Sequence, residues 1–319
     1  MYGSGAVTST LAAQQKVSLT AYDCAAARAA VFAFTNCESF DYLAADMLRG
    51  GSASFKARLG LGFLNLGAHG LVRRLIARTS PGSDVFMYAR TAVPDGLIRH
   101  ALETRPETQT VILGAGLDTS GLRIGAERRK AGQDPGQFFE VDLPTTQAEK
   151  RRQVARLVAA RRGLSDDHIS YVPCSFGENE LREALQGAGF DEGLPTIWVW
   201  SGVVHYLTEA AVRATVTEMK ELSARGSKLF FDFILLEAYA RPDDFGFAKT
   251  KARFDGFGEV MSFGFRQGTE HIQQWLEQQG LAFVRSYTHH DMVALYEEQT
   301  KCRAPSKGTP WSNLCIAEL

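Results

Sequence analysis

"TVILGAGLDTSGLRI", Thr110 to Ile124, decides how this chain is read. An apolar run stops at Gly114, a second glycine follows at Gly116, and Asp118 comes two residues later. Strand, glycine turn and helix in that order aim free backbone N–H groups at a ligand. Gly114 permits a tight turn, and Gly116 lets the backbone come close with no Cβ in the way. The dinucleotide fingerprint puts a third glycine three residues after the second, beneath a pyrophosphate. Here that position is Thr119, and Asp118 stands where the pyrophosphate charge would fall. An acid at that point repels phosphate and suits a cationic or amine-bearing ligand.

Downstream, "QFFEVD" (137–142) reads as a second strand carrying Glu140, about two dozen residues past the first glycine, where a carboxylate can accept both ribose hydroxyls. A turn hostile to phosphate, joined to a ribose-binding acid, points to a nucleoside without phosphates. S-adenosyl-L-methionine fits: adenosine, a sulfonium cation and an amino-acid tail, with S-adenosyl-L-homocysteine as the product.

Outward from the turn the texture is regular. β-like runs at 110–113, 137–142, 168–173, 196–201 and 228–236 alternate with amphipathic helical stretches, and two more runs follow at 282–288 and 313–319. Alternation of this kind predicts parallel strands with crossover helices on both faces. The expected fold is α/β and Rossmann-like, with about seven strands, mostly parallel, the last one antiparallel. Residues 1–106 read as helical, alanine-rich and without β-branched runs, and are expected to form a lid over the carboxyl ends of the strands. Residues 107–319 then form the ligand-binding domain, with a substrate-side insertion near 237–268.

Composition narrows the class. The chain has 319 residues, 45% hydrophobic and 22% charged, which are ordinary globular values. A formal net charge of −1 gives no reason to expect nucleic acid. Five scattered cysteines without C-x-x-C argue against a disulfide framework or structural zinc and suit a reducing cytoplasm. No signal-peptide pattern is expected at the N-terminus. The most apolar segment, "LGLGFLNLGAHGLV" (59–72), is shorter than a membrane span and ends in Arg73 and Arg74, so no membrane partner is expected. His289-His290-Asp291 reads as strand, where neighbours point to opposite faces, so no metal site is expected.

"VILGAGLDT", "FFEVDLPTTQAEKRR", "YVPCSFGENELREALQGAGFD", "WVWSGVVHYLTEAAV" and "GFRQGTEHIQQWLEQQGLAFV" together resemble the leucine carboxyl methyltransferase-like family, which includes bacterial polyketide-tailoring O-methyltransferases. "VSLTAYDCAAARA" and "YARTAVPDGLIR" resemble that family's lid and its cofactor-clamping arginine. The resemblance implies an S-adenosylmethionine-dependent transferase acting on a small-molecule acceptor, at a carboxylate or hydroxyl oxygen, as a monomer or homodimer. It implies that Arg90 pairs with the methionine carboxylate and that Gly114, Ala115 and Gly116 line the backbone approach. Asp118 then acts near the methionyl amine or as a turn cap. Glu140 holds the ribose, with Val141, Asp142 and Leu143 beside it, Asp142 alternatively capping the helix before Pro144. Cys174, Ser175 and Phe176 edge the adenine, while Ser201 and Gly202 face the transferring methyl group.

The chain departs from the family pattern at three points. Ser175 and Ser201 stand where acids are usual, and Asp41 is followed by Tyr42 rather than proline. His205, with Tyr206 beside it, is the candidate base for a hydroxyl acceptor; a carboxylate acceptor needs none. Tyr22, Phe254 and Phe263 are candidate walls of the acceptor pocket. Two alternative functions are a nicotinamide-dependent oxidoreductase and a methyltransferase fold turned to another use.

Overall fold

The computed structural model describes residues 19–37, 39–49, 55–174, 181–256 and 261–319. The described chain opens with helices α1 (Leu19–Thr35), α2 (Ala44–Leu48), α3 (Phe55–Asn65), α4 (His69–Thr79) and α5 (Ser83–Thr104). Alternation begins at β1 (Gln109–Leu113), α6 (Ser120–Lys130), β2 (Gln137–Asp142), α7 (Pro144–Ala160) and β3 (Ile169–Pro173). It continues through α8 (Leu181–Gly187), β4 (Thr196–Trp200), a 3-10 turn (Val204–Tyr206), α9 (Glu209–Glu221) and β5 (Lys228–Leu235). The remainder is α10 (Leu236–Ala240), α11 (Ala248–Asp255), β6 (Gly264–Phe265), α12 (Glu270–Gln278), β7 (Ala282–Tyr287), α13 (His289–Thr300) and β8 (Ser312–Glu318).

The strands form one sheet in the order β3-β2-β1-β4-β5-β8-β7, with two-residue β6 beside the end of β5. β8 runs antiparallel to both its neighbours, and the other pairs are parallel. The architecture is therefore the expected Rossmann-like one, with eight strands rather than seven because β6 is too short to leave a periodic signal. Chain order reverses between β1 and β4, and the crevice outside the carboxyl ends of such a pair is where open α/β sheets take ligands.

All five residues of β1 and of β4 are buried, as central strands covered on both faces must be. Their side chains alternate between two cores. Ile112, Ile197, Val199 and Phe230 join the cluster built with α1, α2 and α5. Val111, Leu113, Trp198, Trp200 and Phe231 join the cluster on the opposite face with α8, α9 and α12. α5 contacts β4, α6 and α13, so the boundary expected at residue 106 falls at the end of a helix already packed in a sheet-covering layer.

His289-His290-Asp291 is not strand but the start of α13. Thr288 caps that helix, and Asp291 completes a reciprocal capping box with it. The Thr-x-x-Asp spacing is the signal the strand reading passed over. Among the described residues no helix is long and apolar enough to cross a membrane.

Candidate functional site

The glycine turn after β1 has the geometry its sequence predicts. Gly114 has φ +68° and Gly116 has φ +48°, both left-handed. A Cβ on Gly114 would come within 2.4 Å of Val203 Cγ2, from the loop after β4, so the two loops of the switch point touch only because this residue is glycine. A Cβ on Gly116 would lie 3.2 Å from Ala21, which places α1 directly on the turn. The N–H groups of Gly114 and of buried Ala115 donate to the Val141 carbonyl, at 2.9 and 3.0 Å. Asp118 is a turn cap, its Oδ1 accepting the Ser120 N–H at 2.7 Å.

Thr119, where a dinucleotide fold keeps glycine, is fully buried and donates to Asp41 Oδ1 at 2.6 Å. Arg28 Nε donates to Asp41 Oδ2 at 2.7 Å, and Arg123 Nη1 to Asp95 Oδ2 at 2.6 Å. Burial alone would raise the Asp41 pKa, but Arg123 and Arg28 hold the carboxyl below its ordinary range. The start of α6 is thus filled by a neutralised network rather than left open to a pyrophosphate.

Glu140, the expected ribose acid, is engaged in a buried ion pair. It is fully buried, with Oε2 2.6 Å from the equally buried Lys150 Nζ of α7. Gln147 closes the other side by donating to the Glu140 carbonyl. The reason is register: Glu140 pairs with Ile112, one residue short of the strand end. Asp142, two residues on and therefore on the same face, reaches the edge. It is half-buried and accepts the Gly116 N–H on Oδ2 at 2.6 Å and the Leu143 N–H on Oδ1 at 2.7 Å. Burial pushes the Asp142 carboxyl upward, and those two N–H groups pull it back. The carboxylate on the glycine turn is Asp142. Val141 points into the opposite core and presents only its carbonyl.

The second half of the site lies at the ends of β4 and β5. Arg90 of α5 reaches in with Nη2 3.1 Å from Cys24 Sγ of α1 and Nη1 3.7 Å from Asp232 Oδ2. Gly202, at φ +72°, leaves room for it: a Cβ there would be 3.1 Å from Nη1. Asp232 Oδ1 accepts the Gly202 N–H at 2.5 Å. Sequence reading missed Asp232, whose signal was a lone acid inside the apolar run "KLFFDFILL". Trp200 pairs with Phe231, so Asp232 is the β5 counterpart of position 201. A carboxylate absent from β4 at Ser201 is present one strand over.

Ser201 Oγ and His205 Nδ1 are buried without a hydrogen-bond partner among the described residues. Burial lowers the His205 pKa to about 4; Asp232 opposes the shift and Arg90 adds to it. The Tyr206 ring stands 4.3 Å from the His205 ring.

Tyr22 is buried and donates to Glu149 Oε1 of α7 at 2.7 Å, fastening α1. Phe263 packs in the aromatic core against Phe265 and Trp275, at one edge of a surface groove of about 530 Å³. Cys174 is buried, its N–H donating to the Asp142 carbonyl at 2.9 Å. Ser175, Phe176 and the Phe254 side chain lie outside the described residues.

One rim of the switch point thus offers carboxylates at Asp118, Asp142 and Asp232, a guanidinium at Arg90, and the polar atoms Ser201 Oγ and His205 Nδ1, unpartnered among the described residues. The set fits a ligand that is cationic at one point, anionic at another, and rich in hydroxyls.

The sequence profile described as leucine carboxyl methyltransferase matches residues 24–220. A Mycolicibacterium gilvum protein named as an S-adenosyl-L-methionine-dependent methyltransferase is 28% identical over 59% of this chain and 59% of its own length. A Streptomyces coelicolor protein of the same designation is 32% identical over 44% of this chain and 45% of its own. The chain thus spans about half the length of these curated relatives. Among solved structures, a DUF574 family protein from Streptomyces avermitilis superposes with a TM-score of 0.53 at 15% identity, covering 85% of this chain and 94% of that one. A Thermobifida fusca protein described as a methyltransferase gives 0.51 at 15% identity, covering 86% and 91%. These two likenesses bear on the fold. The profile match covers well over half of the sequence, and the chain belongs to the leucine carboxyl methyltransferase family.

Proposed function

We propose that the protein transfers a methyl group from S-adenosyl-L-methionine to an oxygen of a small-molecule acceptor. The observation that carries this reading is the rim itself: Asp118 and Asp142 stand at the glycine turn, where a nucleotide-binding fold would leave room for phosphates, and Arg90 meets Asp232 at the ends of β4 and β5. Family membership and the methyltransferase designation of the relatives support it. The buried Thr119–Asp41 contact speaks against a nicotinamide dinucleotide, because no third glycine opens the start of α6.

When bound, the cofactor supplies an electrophilic methyl group. In this reading Arg90 holds the methionine carboxylate, a task suited to its planar fork. Asp142 keeps lone pairs free beside the Gly116 N–H for ribose hydroxyls, in place of Glu140. Asp118 and Asp232 set a negative field around a sulfonium. His205, with a pKa of about 4, is neutral through the physiological range, and its Nδ1 can accept an acceptor's O–H. So low a proton affinity makes it better at orienting a hydroxyl than at deprotonating one. The helices before α5 act as a lid, while α5 covers the sheet of the ligand-binding domain.

Calorimetry with S-adenosylhomocysteine and with NAD tests the assignment directly. Binding of the first and not the second is expected; tight NAD binding would overturn it. Formation of S-adenosylhomocysteine with hydroxyl or carboxyl acceptors, and not with amines, would establish oxygen as the acceptor atom.

A further inference from the structure

Exposed large apolar side chains are not scattered over this molecule. Five of them, Leu59 at 48% exposure, Phe63 at 36%, Leu66 at 82%, Leu71 at 56% and Leu75 at 60%, lie on the α3–α4 hairpin. Elsewhere among the described residues only Val284 is comparable. The spacing makes two stripes. Leu59, Phe63 and Leu66 follow one face of α3 into its turn, and Leu71 and Leu75 stand one turn apart on α4. The inner side of the hairpin is already used, with Val72 buried and both helices packed on α1.

The charge of the segment is equally one-sided. Residues 55–79 contain Lys56, Arg58, Arg73, Arg74 and Arg78 and no acid, within a chain whose formal net charge is −1. Arg73 lies over the Phe34 ring, with Cζ 4.7 Å from its centroid, while Arg74 and Arg78 are exposed beside the leucine stripe of α4. Lys249 adds a cation at the end of that helix, its Nζ 3.5 Å from the Arg78 carbonyl. Apolar side chains flanked by arginines, in a segment without an acid of its own, form a surface that buries its leucines among acyl chains while the guanidinium groups reach anionic headgroups.

We propose that the α3–α4 hairpin docks the protein peripherally on an anionic lipid surface. A second copy of this chain is the weaker occupant, since joining two hairpins face to face would bring the exposed Arg74 and Arg78 of one against the same pair of the other. The proposal departs from the expectation of no membrane partner, since a stretch too short to span a bilayer is long enough to lie on one.

The test is flotation of the full chain with phosphatidylcholine vesicles, with and without one-quarter phosphatidylglycerol. Binding to the anionic vesicles alone is expected, with release as salt rises and screens the charges. The Arg74→Glu/Arg78→Glu pair should weaken binding at least about 25-fold, near five-fold for each lost cation. Leu66→Trp should give indole emission that shifts to the blue on vesicle addition. These sites are exposed, and circular dichroism checks that each variant folds; if one does not, the lipid and salt dependence of the native chain decides. No flotation with anionic vesicles at low salt, equal flotation with both lipids, or a concentration-dependent dimer without flotation would overturn the proposal.

Discussion

Two polar clusters flank the glycine turn, and they differ in how completely their hydrogen bonds close. Beneath it, the Arg28, Asp41, Thr119, Arg123, Asp95 and Ser120 side chains contact one another, and both arginines are buried. At the ends of β4 and β5, Ser201 Oγ and His205 Nδ1 have no partner among the described residues, and Arg90 sits 3.7 Å from its carboxylate. Both are buried constellations of charge at one end of the sheet. A saturated network fixes structure, whereas an unsaturated one awaits a molecule to complete it.

The sharpest way to break this contrast is to damage the closed cluster. Asp41→Ala leaves Arg28 and Arg123 buried without their shared acid and should cost about 3–5 kcal/mol of stability, read by urea denaturation. A loss below about 1 kcal/mol would show that the cluster is not the structural half. A pH series examines the open cluster. His205 has a pKa of about 4 in the fold against an ordinary 6.5, so its contribution is fully present above pH 6.5 and drains away as pH falls toward 4. The full shift corresponds to about 3 kcal/mol, and His205→Gln should flatten that part of the stability profile. An unchanged profile in the variant would remove His205 as its source.

Arg90→Ala should weaken S-adenosylhomocysteine binding by about 1.5–3 kcal/mol in calorimetry if the arginine meets a carboxylate. Unaltered affinity would leave Arg90 as a partner of Asp232 and nothing more. The smallest effect sharpens the contrast between neighbours on β2. Asp142→Asn should reduce affinity for adenosine-bearing ligands by about 1–2 kcal/mol. Glu140→Gln should leave that affinity alone and act on stability; the reverse pattern would return the ribose role to Glu140.

Much of the fold was legible because central parallel strands write continuous apolar runs, and all seven expected strands lie within a residue or two of their sequence bounds. β6 escaped because two residues carry no periodicity. The turn was legible through Gly114, Gly116 and Asp118, whose backbone demands are local. The division between Glu140 and Asp142 was not legible, because strand alternation puts both on one face and only register tells which of them reaches the edge. Asp232 and the Tyr22–Glu149 contact were invisible for a different reason. Each depends on which distant segment lies alongside, and one sequence does not record that.

The partners of Arg90 carry one last consequence. On one side it touches a thiol, a weak acceptor, and on the other a carboxylate beyond ordinary hydrogen-bond length. Cys24 and Asp232 therefore already hold its long side chain, while its other N–H groups have no hydrogen-bond partner among the described residues. A freely rotating arginine would forfeit up to about 2 kcal/mol of entropy on capturing an anion, and most of that loss has been taken here during folding.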